Sequence, residues 1–179
     1  INISLKKRDD GGSIYIWGRG CPTTGFVDGN IRGSYHQGSS QFTLSYNPSW
    51  RSYNKVYDYS ESSLIGDKFR VDLTSNSKSP FHYLNNPLNL KYVFRPDESL
   101  VFSATFNAAI FNDGRSSKGD THDSLNGDYH NESKSSSKSF TPSLDLYLRK
   151  DFNSKNSLEL EVVGTLSNTD YRRTFTENF

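Results

Sequence analysis

Apolar and polar residues alternate with a period of two along much of this chain. In "SLVFSATFNAAIFND" (99–113), Leu100, Phe102, Ala104, Phe106, Ala108 and Ile110 alternate with Val101, Ser103, Thr105, Asn107 and Ala109. Successive side chains of a strand point to opposite faces, so this segment predicts a strand with one apolar and one mostly polar face. The same pattern recurs at 41–53, where Phe42, Leu44, Tyr46, Pro48 and Trp50 share a face opposite Thr43, Ser45, Asn47, Ser49 and Arg51. At 86–95, Leu88, Leu90, Tyr92 and Phe94 oppose Asn89, Lys91 and Val93. At 140–150, Phe140, Pro142, Leu144, Leu146 and Leu148 oppose Thr141, Ser143, Asp145 and Tyr147. At 157–171, Leu158, Leu160, Val162, Gly164 and Leu166 oppose Glu159, Glu161, Val163, Thr165 and Ser167. Two further strands are predicted at 12–20 and 26–36, and no long segment has the helical period. The expected fold is all-β: an antiparallel meander of about seven long strands.

The connections differ in length. "HQGSSQ", "RPDES" and "DFNSKNS" read as tight polar turns. Between them lie long connections at 54–80 and 112–139. The second, "NDGRSSKGDTHDSLNGDYHNESKSSSKS", has the composition of a flexible, solvated loop. In a meander, alternate connections fall at opposite ends of the sheet. One end therefore collects tight turns and the other long loops, as in outer-membrane barrels. Strand length agrees: ten residues at about 3.3 Å each span roughly 33 Å. Tilted by about 45°, such a strand rises roughly 23 Å, against an apolar band about 25 Å tall in such barrels. Aromatics near segment ends (Trp50, Tyr53, Tyr92, Phe94, Phe111 and Tyr171) suit interfacial girdles. The apolar face is expected to meet lipid; the competing expectation is the core of a soluble, secreted β-sandwich that binds carbohydrate through Trp17 and Trp50.

Composition sharpens the choice. Only 32% of the 179 residues are hydrophobic, which would fill a large soluble core poorly, yet 14% are aromatic. A sheet alternating between two environments reconciles the two figures. The formal net charge of +1 and the lack of a basic stripe give no reason to expect nucleic acid. No run of 18 or more apolar residues predicts a membrane helix, which leaves strands as the means of crossing. The chain begins "INISLKK" without Met, and no signal peptide is visible in it.

Candidate chemistry is sparse. The single cysteine, Cys21, sits in "GRGCP" and is expected to be an incidental loop thiol. Asp120, His122, Asp123, Asp128 and His130 carry metal-ligand atoms, but their spacing matches no established motif. Glu159 and Glu161 are two carboxylates on one face, as a glycosidase would need, but adjacent same-face positions on a hydrated lumen wall explain them better. His36 and His82 have no Ser or Cys partner suggesting a nucleophile. "GRG" at 18–20 lacks the rest of a phosphate loop. The sequons at Asn2 and Asn131 mean little in a bacterial setting. No enzyme, cofactor or metal is expected.

Several stretches resemble a known family. "INISLKKRDD" (1–10) is similar to the segment of TonB-dependent outer-membrane receptors where the last plug strand hands over to the barrel. "GGSIYIWGRG" resembles the first barrel strand. "GNIRGSYHQGSSQFTLSYNPSWRSYNKVYDYSE", "NLKYVFRPDESLVFSATFNAAIFND" and "SLDLYLRKDFNSKNSLELEVVGTLSNTDYRR" resemble successive hairpins of the large Bacteroidetes-type receptors. The resemblance implies two parts: residues 1–10 as the end of a plug domain, and 11–179 as the amino-terminal part of a 22-strand barrel, incomplete here. It implies a place in the bacterial outer membrane and energised uptake of a bulky nutrient: siderophore–iron, cobalamin, oligosaccharide or peptide. The partners it implies are outer-membrane lipid, the rest of the barrel and plug, and the TonB energy complex acting through the plug. Lumen-facing candidates for cargo contact are Arg51, Lys91, Asn107, Asp145, Glu159 and Glu161.

Overall fold

In the computed structural model, which describes residues 10–21 and 23–178, the chain is one antiparallel sheet of eleven strands without helix. In chain order these are β1 (Gly11–Cys21), β2 (Phe26–Gln37), β3 (Ser40–Tyr46), β4 (Ser49–Tyr53), β5 (Tyr57–Gly66), β6 (Phe69–Lys78), β7 (Phe81–Asp97), β8 (Leu100–Asp123), β9 (Gly127–Asn153), β10 (Asn156–Thr165) and β11 (Asn168–Asn178). The expected hand-over segment at 1–10 lies, apart from Asp10, outside the described residues, as does the sequon at Asn2.

Eleven strands replace the expected seven for two reasons. The segments at 41–53 and 157–171 are each interrupted. β3 and β4 are separated by Asn47-Pro48, yet both pair with β7. Proline has no N–H to donate to the ladder; the break is bridged by bonds from Asn47 N–H to the Pro87 carbonyl (3.2 Å) and from Gly29 N–H to the Pro48 carbonyl (2.9 Å). Likewise β10 and β11 both lie along β9. Counting each interrupted pair as one, the meander has seven long strands. The other addition is a hairpin, β5–β6, within the connection at 54–80.

The connection at 112–139 is a correction. It is not a floppy loop but the continuation of β8 and β9, paired in unbroken register from Leu100↔Lys150 to Asp123↔Gly127. Ser, Thr and Asn still hydrogen-bond through their backbones, and with both faces wet no apolar alternation is needed. β7 begins at Phe81, opposite Arg115. Beyond it, β6 takes over as the neighbour of β8 at Lys118–Asp123. Length sorting survives in altered form. Two-residue turns at 38–39, 98–99 and 154–155 cluster at one end, and the β5–β6 and β8–β9 ribbons project from the other.

Registers fix the faces. One cross-strand row runs Ile14, Gly33, Leu44, Leu90, Phe106, Leu144, Gly164. The next runs Tyr35, Phe42, Tyr92, Ala104, Leu146, Val162. Ring contacts hold the face together, Phe42 to Tyr92 within a row at 4.8 Å and Tyr92 to Phe102 of the next row at 6.3 Å. On β8 and β9 this apolar face ends above Ile110 and Phe140, since one row further Asn112 pairs with Lys138, whereas on β2, β4 and β7 that row still holds Val27, Trp50 and Leu84.

No second layer covers that face. Among the described residues no hydrophobic side chain is buried. The buried side chains are polar: Asp28, Asn30, Ser79, Thr121 and Asp123. Phe42 is 50% exposed, whereas Asn30 is 7% exposed. Trp50, Tyr92 and Phe94 lie on the apolar face, but registers place Tyr53, Phe111 and Tyr171 on the polar one. The expected girdle is therefore only half realised among these six.

Candidate functional site

The six candidate residues Arg51, Lys91, Asn107, Asp145, Glu159 and Glu161 all fall on the polar face, spread over its height. Near the two-residue turns, Tyr147 OH donates to Glu159 Oε1 at 2.8 Å, and Glu161 is the register partner of Tyr147. One row up, Lys91, Thr105 and Asp145 lie side by side on three strands. Strands are about 4.8 Å apart, so the Lys91 and Asp145 backbones are too far apart for a default ion pair. Above them Asn89 Nδ2 donates to Asn107 Oδ1 (2.6 Å), and Asn107 Nδ2 to Ser143 Oγ (3.3 Å). This amide ladder satisfies its own donors and leaves a hydrated wall rather than a reactive group.

Arg51 belongs to a denser cluster near the upper end. Its guanidinium donates to both carboxylate oxygens of Asp28, at 2.6 and 3.0 Å, and Arg19 Nε reaches Asp28 Oδ2 at 3.0 Å. A forked pair of this kind fixes geometry as well as charge. The guanidinium carbon also lies 5.3 Å from the Phe26 ring centre and 5.8 Å from that of Tyr83, within cation–π range. Tyr83 stacks on Phe111 at 6.2 Å, Tyr53 meets Phe81 at 5.1 Å, and Arg115 lies over Phe81 at 5.8 Å. Asn30 and Asn47 are hydrogen-bonded beside them. Sequence reasoning missed Asp28, Arg19, Phe26, Tyr83 and Arg115. Asp28 lies inside the strand predicted at 26–36, whose alternation puts its carboxylate on the same face as Arg32, but its partners on β1 and β4 depend on register.

The acidic and histidine residues of the β8–β9 tip resolve into pairs. His122 Nδ1 lies 2.5 Å from Asp128 Oδ1, and His130 Nδ1 lies 2.9 Å from Asp120 Oδ1. Asp123 is turned to the other face and closes the hairpin. Its Oδ1 accepts from Leu125 N–H (2.8 Å) and Asn126 N–H (3.2 Å), and its Oδ2 from Asn126 Nδ2 (2.7 Å). These bonds, that of Leu125 first, hold its carboxyl below the usual range. Among the described residues no group of three or more His, Cys, Asp and Glu could hold a metal ion.

The remaining candidates do not converge on anything. His36 approaches Asp10 at 3.9 Å, and the His82 ring covers Gly114. Cys21 Sγ lies 3.1 Å from Thr23 Oγ1, and hydrogen bonds from the Thr23 and Thr24 hydroxyls lower its thiol to about 7. Trp17 pairs with Asn30 on the polar face and Trp50 with Leu84 on the apolar face, so the two cannot form one sugar-stacking platform. The apolar face holds a depression of about 830 Å³ floored by Gly33 and Ala104 between Ile14, Tyr35, Phe42 and Phe106. No polar side chains converge on it, so it can hold apolar groups but offers no chemistry.

No family model matches the chain, and no curated protein sequence matches it.

Proposed function

We propose that this chain forms part of the wall of a bacterial outer-membrane β-barrel, with its apolar face against lipid and its polar face toward a lumen. The observation that carries this reading is the inverted distribution of side chains: a contiguous face of exposed apolar residues with no layer over it, while the few buried side chains among the described residues are polar. Apolar area left in water forfeits about 25 cal/mol per Å² of burial. A continuous patch spanning six strands therefore calls for a non-aqueous neighbour. Lipid supplies one along the whole width of the sheet. A sandwich would need a second sheet on the same face.

Within that class, the sequence resemblance favours a TonB-dependent receptor. Its cargo would be a bulky nutrient: siderophore–iron, cobalamin, oligosaccharide or peptide. The projecting ribbons and the Arg51–Asp28 cluster would be the outer part of the cargo path, and movement of a plug would open it. The role is transport, without covalent chemistry.

The test is behaviour in two solvents. Refolded into detergent micelles or vesicles with the rest of its barrel, the protein should resist SDS until boiled and migrate differently before and after heating. The 179-residue chain alone, without detergent, should associate through its uncovered face and free edges. A monodisperse, sharply melting monomer in water would refute the proposal.

A further inference from the structure

On β8 and β9, directly above Ile110 and Phe140, the same face becomes basic. Lys138 is two residues beyond Phe140 on β9, beside Asn112 of β8. The next row holds His82, Gly114, Ser136 and Arg172, and the one after it Ser116, Lys134 and Thr174. A further row holds Lys78, Lys118 and Glu132. Five permanent cations and a histidine thus face two carboxylates, Glu132 and Asp170. Both carboxylates are engaged, Glu132 with Lys134 at 2.7 Å and Asp170 with Arg172 at 3.3 Å. Lys138 faces its register partner Asp170, but that carboxylate is turned to Arg172, and no ion pair of Lys138 is formed among the described residues. Gly114, Ser116 and Ser136 form a low floor between Lys134, Lys138 and His82, which line a shallow depression there.

This placement is specific. The polar face does not need the cations, and solubility would be served by a mixture of signs. Basic groups bordering an apolar surface match an amphiphile with an anionic head and apolar tails. Each lysine or arginine near an anionic lipid surface contributes roughly fivefold in binding. We propose that the patch formed by Lys134, Lys138, Arg172 and His82 docks the phosphorylated headgroup of an outer-leaflet lipid, whose acyl chains lie over Ile110, Phe140 and the rows below. This rests on the membrane-wall reading and goes beyond it by naming a lipid partner and its seat.

The test uses the complete protein containing this chain, reconstituted in phosphatidylcholine nanodiscs and titrated with bisphosphorylated lipid A, its dephosphorylated form, or inorganic phosphate. The bisphosphorylated lipid should be retained. The K134A/K138A double variant should bind it about thirtyfold more weakly, K134R/K138R should restore binding, and Lys155→Ala at the opposite end should change nothing. Equal binding by K134A/K138A, or equal binding of the dephosphorylated lipid, overturns the proposal. Full competition by inorganic phosphate overturns it in favour of a soluble-anion site. Heat-modifiable mobility is read on the same samples. Protein that inserts but ignores the phosphates sinks this inference alone, whereas protein that fails to insert sinks the membrane-wall reading with it.

Discussion

Phe106 and Asn107 are chain neighbours on β8 with opposite surroundings. Phe106 is in the apolar row between Leu90 and Leu144; Asn107 is locked into the amide ladder with Asn89 and Ser143. A cation on the lipid face near mid-height costs roughly 2–4 kcal/mol, whereas a hydrated wall tolerates one. Phe106→Arg should therefore depress membrane insertion far more than Asn107→Arg, read as the heat-modifiable fraction; equal yields would mean that Phe106 does not meet lipid. At the β8–β9 tip, Asp123 sets a pH dependence. Its carboxyl is held low in the folded chain, so the charged form stabilises the turn. That contribution is complete above the unfolded value of about 3.9 and is lost as pH falls through the lower folded value. Amide exchange at Leu125 and Asn126, corrected for intrinsic rate, should show protection at neutral pH that fades in acid. Asp123→Ala should remove the protection at every pH, and a variant that still lost protection only in acid would exclude this carboxylate as the cause.

Elements were legible in the sequence in proportion to the contrast between their two faces. β7, the lower part of β8 and β9, and β10 separate apolar from polar cleanly, and their alternation locates them. β5, β6 and the upper ribbon of β8 and β9 are wet on both sides, so the period-two signal is weak or absent. Even so, Phe69, Val71 and Leu73 alternate with Arg70, Asp72 and Thr74 after "GDK", a signal sufficient for β6. The candidate site was legible only as a face: alternation put its six residues together, but the partners that organise Arg51 come from β1, β2 and β7. Those long-range neighbours depend on register, which one sequence does not display. Turn geometry makes a testable contrast at this scale. Gly25 (φ 73°) docks the β1–β2 turn onto β4, its carbonyl accepting from Ser52 N–H at 2.7 Å, and a Cβ there would lie 2.0 Å from the Ser52 carbonyl oxygen. Gly38 (φ 57°) has open space around it. Gly38→Ala should cost only the left-handed penalty of about 1–2 kcal/mol. Gly25→Ala should cost that plus a backbone bond, about 0.5–1.5 kcal/mol more. Denaturant midpoints of the two variants compare them directly, and equal losses would mean the docked turn adds nothing.

For the molecule as a whole, the membrane-wall reading makes the two ends of the sheet inequivalent. The meander alternates direction at every long strand, so the turns at 38–39, 98–99 and 154–155 must lie on one side. The β1–β2 turn, the β5–β6 hairpin and the β8–β9 tip must lie on the other. Under the proposed reading, the resemblance of residues 1–10 to a plug hand-over segment would put the start of β1 on the periplasmic side, and hence the ribbons outside. Cys21 is at the outer end of β1, and with a thiol lowered to about 7 it is substantially thiolate at neutral pH. A membrane-impermeant maleimide applied to intact cells should therefore label the native protein at Cys21. In a Cys21→Ser background, Leu125→Cys, at a tip position 72% exposed, should be labelled on intact cells. Lys155→Cys, in the turn between β9 and β10, should react only after the outer membrane is permeabilised. The reverse pattern would invert the orientation and undo the assignment of the amino-terminal segment to the periplasmic side. Labelling of both positions on intact cells would mean that the sheet does not cross the membrane, since only a barrier between its ends can keep position 155 from a reagent that reaches position 125.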